Sequence, residues 1–292
     1  MKYAFYPGCV AKGGCPELYS AAVKVAEKLD IELEEMTDVA CTGAGCMPTQ
    51  LSDPINARTF AKAEQMGLPI MTICSTCQGV FSQANHRLQD AEYREEINRE
   101  YLAEEGLSYQ GTTEVTHMLW VLFEDYGIEK LKSLIQRPLN GLKVSPFYGC
   151  FLRRPGNIMV PTKEVGGRRT YLEDLTRILG AENVDISGKT KCCGFPILTA
   201  NEEASLGMVS KHAGESKGNG ADCMVTPCPL CHLNLDGNQP RAEGQKGEKI
   251  DLPIIHLPQL VGLALGFDPD EMQLGRHIVS TQAVNDKIDM LT

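Results

Sequence analysis

Met224-Val-Thr-Pro-Cys228-Pro-Leu-Cys231 runs an apolar strand directly into a pair of cysteines. Ile70-Met-Thr-Ile-Cys74-Ser-Thr-Cys77 does the same in the first half of the chain. Working upstream, each pair has a partner: Cys192-Cys193-Gly194 precedes the second, and Cys41-Thr42-Gly43 precedes the first. Further upstream stands a lone cysteine in an aromatic-glycine setting, Tyr148-Gly-Cys150 in one half and Tyr6-Pro-Gly-Cys9 in the other. One plan is therefore written twice along the chain.

The repeat extends to the surrounding elements. Lys2–Tyr6 and Lys143–Tyr148 are extended apolar pieces that end at a cysteine turn. Ala22–Leu29 and Tyr171–Leu179 carry apolar residues at helical spacing. Ile31–Met36 and Glu182–Ile186 read as the next strands, and Asn56–Met66 and Glu202–Lys217 as further helices. Strands alternating with helices predict an α/β chain with two small, mainly parallel sheets flanked by helices, one in residues 1–140 and one in 141–292. Open parallel sheets bind ligands beyond the carboxyl ends of their strands. The cysteines follow predicted strands, so the thiols of each half should converge at one end of its sheet.

Between the halves, Val115–Tyr126 reads as an apolar helix, either packed in the core or between domains, or presenting a docking face. Near the C-terminus, Leu252–Gly266 is apolar but broken by Pro253 and Pro258. Pro258 suits the start of a short helix, and buried packing is the expectation there.

Composition narrows the function. The 292 residues suit two domains of ordinary size, and 42% hydrophobic residues are enough to build cores. A formal charge of -10 argues against electrostatic binding to nucleic acid or anionic lipid. The chain opens on a short strand and turn rather than a signal peptide, and no apolar run is long enough to span a bilayer. A cytoplasmic setting is expected, where the 12 cysteines stay reduced and free to bind metal.

Thiolates are the usual ligands of iron–sulfur clusters. The second half offers five: Cys150, Cys192, Cys193, Cys228 and Cys231. A cubane cluster or a zinc ion takes four, so the surplus points to an unusual cluster with an extra or bridging thiolate. The first half offers four, Cys9, Cys41, Cys74 and Cys77, because Thr42 stands where the second half has Cys193. A four-thiolate or modified cluster, a cluster completed by Cys46 or Cys15, and an empty or zinc-filled site all remain open for it. Cys228-Pro-Leu-Cys231-His232 also fits haem attachment, but that chemistry needs export. A thioredoxin-like pair would leave the matched upstream cysteines unexplained, and so would structural zinc.

Together, Phe5–Cys9, Phe147–Cys150, the Cys-Cys-Gly turn, Val225–His232 and His256-Leu-Pro-Gln-Leu260 resemble the duplicated cysteine-rich CCG domain. That domain belongs to the B subunit of heterodisulfide reductase and its relatives, which include a component of type E succinate dehydrogenases. The resemblance covers nearly the whole chain. It implies two noncubane [4Fe-4S] clusters facing a shared pocket, where a disulfide is cleaved or formed with sulfur bound to cluster iron. Carried over, Cys150, Cys192, Cys193, Cys228 and Cys231 would hold the second cluster, with Cys193 as the reactive position. Cys9, Cys41, Cys74 and Cys77 would hold the first, which Thr42 makes a departure from the family pattern. The first cluster then serves as a relay.

No G-x-G-x-x-G follows a strand and no ferredoxin cysteine run is present, so electrons must be exchanged with other proteins. In the family these are an iron–sulfur C subunit together with a flavin A subunit. The leading expectation is a redox subunit that works on a disulfide, a thiol or a sulfur carrier. Two alternatives share the cysteines: a membrane-docking, quinone-reducing succinate dehydrogenase subunit, and an iron–sulfur subunit of glycolate or lactate oxidation. A scaffold that only passes electrons is a third, non-catalytic reading. Among the other residues, Cys223 is expected to be a buried thiol. His232 is expected to tune its neighbouring ligand or simply to pack. Arg153 and Arg154 hold an anionic substrate or are solvated. His86, His117, His212, His256 and His277 show no ligand spacing.

Overall fold

In a computed structural model the chain is described over residues 1–153, 166–247 and 249–290. Each half forms a four-stranded parallel sheet. The first contains β1 (Lys2–Tyr6), β2 (Glu32–Glu35), β3 (Ile70–Thr72) and β4 (Val115–His117), in the order β2-β1-β3-β4. The second contains β5 (Lys143–Pro146), β6 (Glu182–Asn183), β7 (Cys223–Thr226) and β8 (Ile254–His256), in the order β6-β5-β7-β8. The two orders are the same, as the sequence repeat requires. Phe5 on β1 pairs with Glu35 on one side and Met71 on the other, and Val144 on β5 with Asn183 and Cys223. Tyr3 to Tyr6 are buried on both faces of the sheet, the usual condition of a central parallel strand covered by helices.

The helices follow from local chemistry. In α1 (Pro16–Lys28), proline stands at the first position, and Leu18, Ala21, Ala22, Val25 and Ala26 make one buried stripe. This stripe joins the same core as Leu260 and Leu263 of α7 (Leu257–Ala264), so the two halves share apolar packing. α2 (Thr49–Met66) stops at Gly67, which takes the left-handed φ of 65°. The helical spacing in the sequence predicts this helix only from Asn56. It in fact begins at Thr49 and carries Pro54 inside it. The remaining helices used below are α3 (Ser75–Arg87), α4 (Tyr171–Ile178), α5 (Glu202–Gly218) and α6 (Pro229–Leu235). Asn201 caps α5 by accepting from the Ala204 amide at 3.0 Å.

Two expectations are corrected. Val115–Tyr126 is not one helix: Val115–His117 pairs with β3 as the edge strand, and helical structure starts at Met118. The edge strand is only three residues long, and its apolar residues merge with the periodicity of the helical stretch behind it. Likewise, Ile254–His256 forms the corresponding edge strand of the second sheet before Pro258 opens α7. Glu182–Ile186 contributes only Glu182 and Asn183 to the ladder. Among the described residues, no helix is long and apolar enough to cross a membrane.

Candidate functional site

The cysteines gather where the carboxyl ends of the two sheets meet. Cys74 and Cys228 each cap a helix directly after a strand, α3 after β3 and α6 after β7. The Cys74 sulfur accepts from the Cys77 amide at 3.4 Å, which fixes both thiols of the first C-x-x-C on one helical turn. Cys9 lies at the start of a short helical turn after β1, and its thiol is 3.6 Å from that of Cys41. The Tyr6 hydroxyl donates to the Ala40 carbonyl at 2.8 Å and holds the loop that delivers Cys41. Cys74 and Cys77 are buried, whereas Cys9 and Cys41 are exposed.

Thr42 is 1% exposed, and its hydroxyl lies 3.7 Å from the Cys77 sulfur. A hydroxyl thus occupies the place that a thiol takes in the second half. Cys46 does not fill the gap: it is exposed, with its thiol 3.8 Å from the Ala44 carbonyl. Cys15 is buried with its thiol 3.9 Å from His232 Nδ1. A surface cavity of about 180 Å³ opens beside Cys9 and Cys41. Lys12 and Glu35 form an ion pair on its wall, and Met36 and Val39 supply apolar lining.

In the second half, Cys150, Cys192, Cys193, Cys228 and Cys231 line one pocket together with Phe151, Phe195 and Leu230. Two glycines make this approach possible. Gly149 has φ 68°, and a Cβ there would lie 2.7 Å from the Cys231 sulfur. Gly194 has φ 98°, and a Cβ would meet Ser205 Oγ at 2.9 Å. The backbone of the Cys-Cys-Gly turn is then pinned by three side chains. Asn234 donates to the Cys193 carbonyl at 2.7 Å, and Ser205 to the Gly194 carbonyl at 3.0 Å. His212 Nε2 reaches the Cys192 carbonyl at 3.0 Å.

A separate pocket, lined by Cys9, Cys41, Thr42, Cys74 and Cys77, shares Ala44, Thr76 and Leu230 with the five-cysteine pocket. Thr76 crosses between them, with its hydroxyl 3.4 Å from the Cys228 sulfur. Ser75 and His117 of the first half both reach the Pro227 carbonyl, one residue before Cys228. His117 Nδ1 accepts the Leu119 amide at 3.0 Å, so its Nε2 carries the proton and donates to Pro227 at 3.1 Å. Burial lowers the His117 pKa to about 4, which keeps the ring neutral.

Electrostatics set the condition for occupancy. Cys192 is held far below the usual thiol value, because Cys150 and Cys193 donate to its sulfur. Cys150 is pushed up by donating to Cys192, and Cys193 is raised by the same neighbour. Cys228 is lowered by donation from Cys231 and Cys74, and both of these are raised. Thiolates packed this closely oppose one another's ionisation, so full ionisation of the set needs positive charge among them. An all-sulfur donor set of this kind suits soft, thiophilic metals, so the residues present fit an iron–sulfur centre.

Several contributors escaped the sequence reading. Thr76, Ser75, Ser205, Asn234, His117 and His212 all hold the cysteine turns, and all but Thr76 bind backbone carbonyls. His117 had a legible signal, because its strand end corresponds to that of His256 in the repeat. His212 sits within α5 and Asn234 in the last turn of α6, neither with a sequence cue. Cys223 is fully buried in β7, as expected. His232 contacts Cys15 and His277 rather than a ligand sulfur. Arg153 lies 5.0 Å from the centre of the Tyr148 ring, and Arg154 lies outside the described residues.

Comparison with known proteins agrees with this geometry. The cysteine-rich (CCG) domain profile matches residues 3–82 and 144–236. The chain is 38% identical over 283 residues to the 8-methylmenaquinol:fumarate reductase membrane anchor subunit of Wolinella succinogenes, covering 95% of this chain and 97% of that one. It is 30% identical over 286 residues to the B subunit of the ferredoxin/F420H2-dependent CoB-CoM heterodisulfide reductase of Methanosarcina acetivorans, covering 95% and 94%. Among solved structures, a hypothetical protein from Helicobacter pylori shares the fold with a TM-score of 0.75 and 14% identity. That match covers 96% of this chain, which spans about half (52%) of the Helicobacter chain. Duplicated sheets, duplicated cysteine turns and these relatives give one conclusion: the chain belongs to the cysteine-rich CCG domain family that includes the B subunit of heterodisulfide reductase.

Proposed function

We propose that this protein is an iron–sulfur redox subunit in which Cys150, Cys192, Cys193, Cys228 and Cys231 hold a noncubane [4Fe-4S] cluster that exchanges electrons with a disulfide or thiol. Cys9, Cys41, Cys74 and Cys77 hold a second, four-thiolate cluster that relays electrons. The observation that carries this reading is the convergence of five thiols, including the adjacent Cys192 and Cys193, on one pocket in contact with the first site. When bound, the clusters supply reversible one-electron steps and an iron site open to sulfur. The chain's own residues shape the surroundings. Phe151, Phe195 and Leu230 give the second pocket an apolar lining, and Cys193 is the thiol assigned here as the reactive position. Asn234, Ser205 and His212 hold its turn rigid. Partner proteins of the iron–sulfur C type and flavin A type deliver or remove the electrons.

A second reading has its own support. The 38% identity to a component of a methylmenaquinol-oxidising reductase favours a quinol as the reaction partner, in place of the disulfide. The cavity beside Cys9 and Cys41, with Met36 and Val39 in its wall, is where such a ring would enter.

Anaerobic protein, wild type beside Cys193→Ala, tests both. About eight irons per chain are expected from two four-iron clusters. A paramagnetic signal elicited by thiol under oxidation, and lost in Cys193→Ala, supports disulfide chemistry. Cluster reduction by a menaquinol analogue with no response to thiols supports the quinol reading. Zinc without sulfide in the cysteine sites would overturn both.

A further inference from the structure

We propose that Cys15, Glu17, His232 and His256 form a second kind of metal site, a tetrahedral zinc site that staples the two halves together. The four donor atoms lie within 4.8 Å of one another, and all four residues are buried. Cys15 caps α1 and Glu17 lies in its first turn, both in the first half. His232 comes from α6 and His256 from the end of β8, both in the second. Cys15 Sγ stands 3.9 Å from His232 Nδ1, and Glu17 Oε1 stands 3.2 Å from His256 Nε2. Zinc bonds of about 2.0–2.3 Å in tetrahedral geometry space their donors by roughly 3.3–3.6 Å, between these two values.

The surroundings complete the arrangement. His232 Nε2 lies 2.7 Å from His277 Nδ1, and His277 Nε2 lies 3.1 Å from Gln259 Oε1. An amide oxygen can only accept, so His277 donates to Gln259 and His232 donates to His277. That leaves the Nδ1 lone pair of His232 facing Cys15. Outer hydrogen bonds of this kind fix the tautomer of a metal-bound histidine. Arg276 Nε approaches the other Glu17 oxygen at 3.3 Å, from a half-exposed position. Arg276 thus meets one Glu17 oxygen from the rim, and the other, Oε1, faces His256 inside the donor group. The donor set also separates this site from the cluster sites: one sulfur, two nitrogens and one oxygen, against sulfur alone.

The test is metal analysis of the anaerobically purified full chain, with zinc-edge X-ray absorption. About one zinc per chain is expected, with one sulfur and about three nitrogen or oxygen neighbours. Cys15→Ser and His256→Gln should each lose zinc at least tenfold while iron content holds. If either variant fails to fold, cobalt substitution of the wild type gives the same answer, because one thiolate yields a weaker charge-transfer band than three or four. Wild-type protein that contains no zinc and takes up none on titration overturns the proposal and leaves a metal-free hydrogen-bonded cluster. A zinc shell dominated by sulfur, or zinc kept by both variants, also overturns it, since the metal then belongs to cluster cysteines. Iron and sulfide content report separately on the redox reading.

Discussion

Ser75 donates twice to the Pro227 carbonyl, through its amide at 3.1 Å and its hydroxyl at 2.9 Å. One carbonyl on the second half's cysteine corner thus receives two donors from the first half's corner, and His117 adds a third. Ser75→Ala removes the hydroxyl and keeps the amide. It should cost about 1 kcal/mol, the usual worth of one buried hydrogen bond, measured by urea denaturation of the anaerobic protein. A loss under a few tenths would mean that the two halves do not depend on this contact.

Gly149→Ala should empty the second cysteine site and spare the first. The added Cβ would stand 2.7 Å from Cys231 Sγ on a backbone with positive φ, so both sterics and strain oppose it. Iron should fall from about eight to about four per chain. An unchanged iron count would show that the Cys150 turn does not approach the cluster this closely.

Thr42→Cys should convert the first site toward the second. The Thr42 hydroxyl is already buried 3.7 Å from Cys77 Sγ, so a thiol of similar size needs no rearrangement. Iron content should stay level while the paramagnetic spectrum gains a second component resembling that of the five-thiolate site. An identical spectrum in variant and wild type would exclude Thr42 from the edge of the cluster.

Acid should weaken the joint between the halves. An unfolded histidine binds its proton near pH 6.5, whereas His117 in the fold waits until about pH 4. Across that window the unfolded chain holds more protons, so stability falls as pH drops. The full effect is about 3 kcal/mol, from a shift of roughly two and a half pH units. His117→Gln should flatten the urea midpoint between pH 6.5 and 5 relative to wild type. Equal slopes in both proteins would remove His117 from the acid response.

Much of the fold was legible because the sequence states it twice. The parallel sheets, the helices after each strand and the convergence of cysteines at strand ends all followed from one repeated order of residues. The edge strands were not legible, because Val115–His117 and Ile254–His256 are three residues long and lead straight into helices. Their strand character comes from pairing with β3 and β7, a tertiary effect. The gathering of nine cysteines at the strand ends was readable from their positions just after the strands. The residues that hold their backbones were not: His212 from inside α5 and Asn234 from the last turn of α6 act on carbonyls far away in sequence. The grouping of Cys15, Glu17, His232 and His256 was hidden for the same reason, since its members come from opposite ends of the chain.

The contact at Pro227 has no reciprocal. In the repeat, Ser75 corresponds to Pro229 and Pro227 to Ile73. Pro229 has no amide proton, so it cannot return the bond to Ile73. His256, the counterpart of His117, turns to Glu17 instead. A pair of identical protomers would have to carry the same residue on both sides of such a joint. Fusing two copies into one gene lifts that restriction, because each copy then accumulates its own substitutions. Thr42 opposite Cys193, and serine opposite proline, show how far the two halves of this single chain differ at their joint.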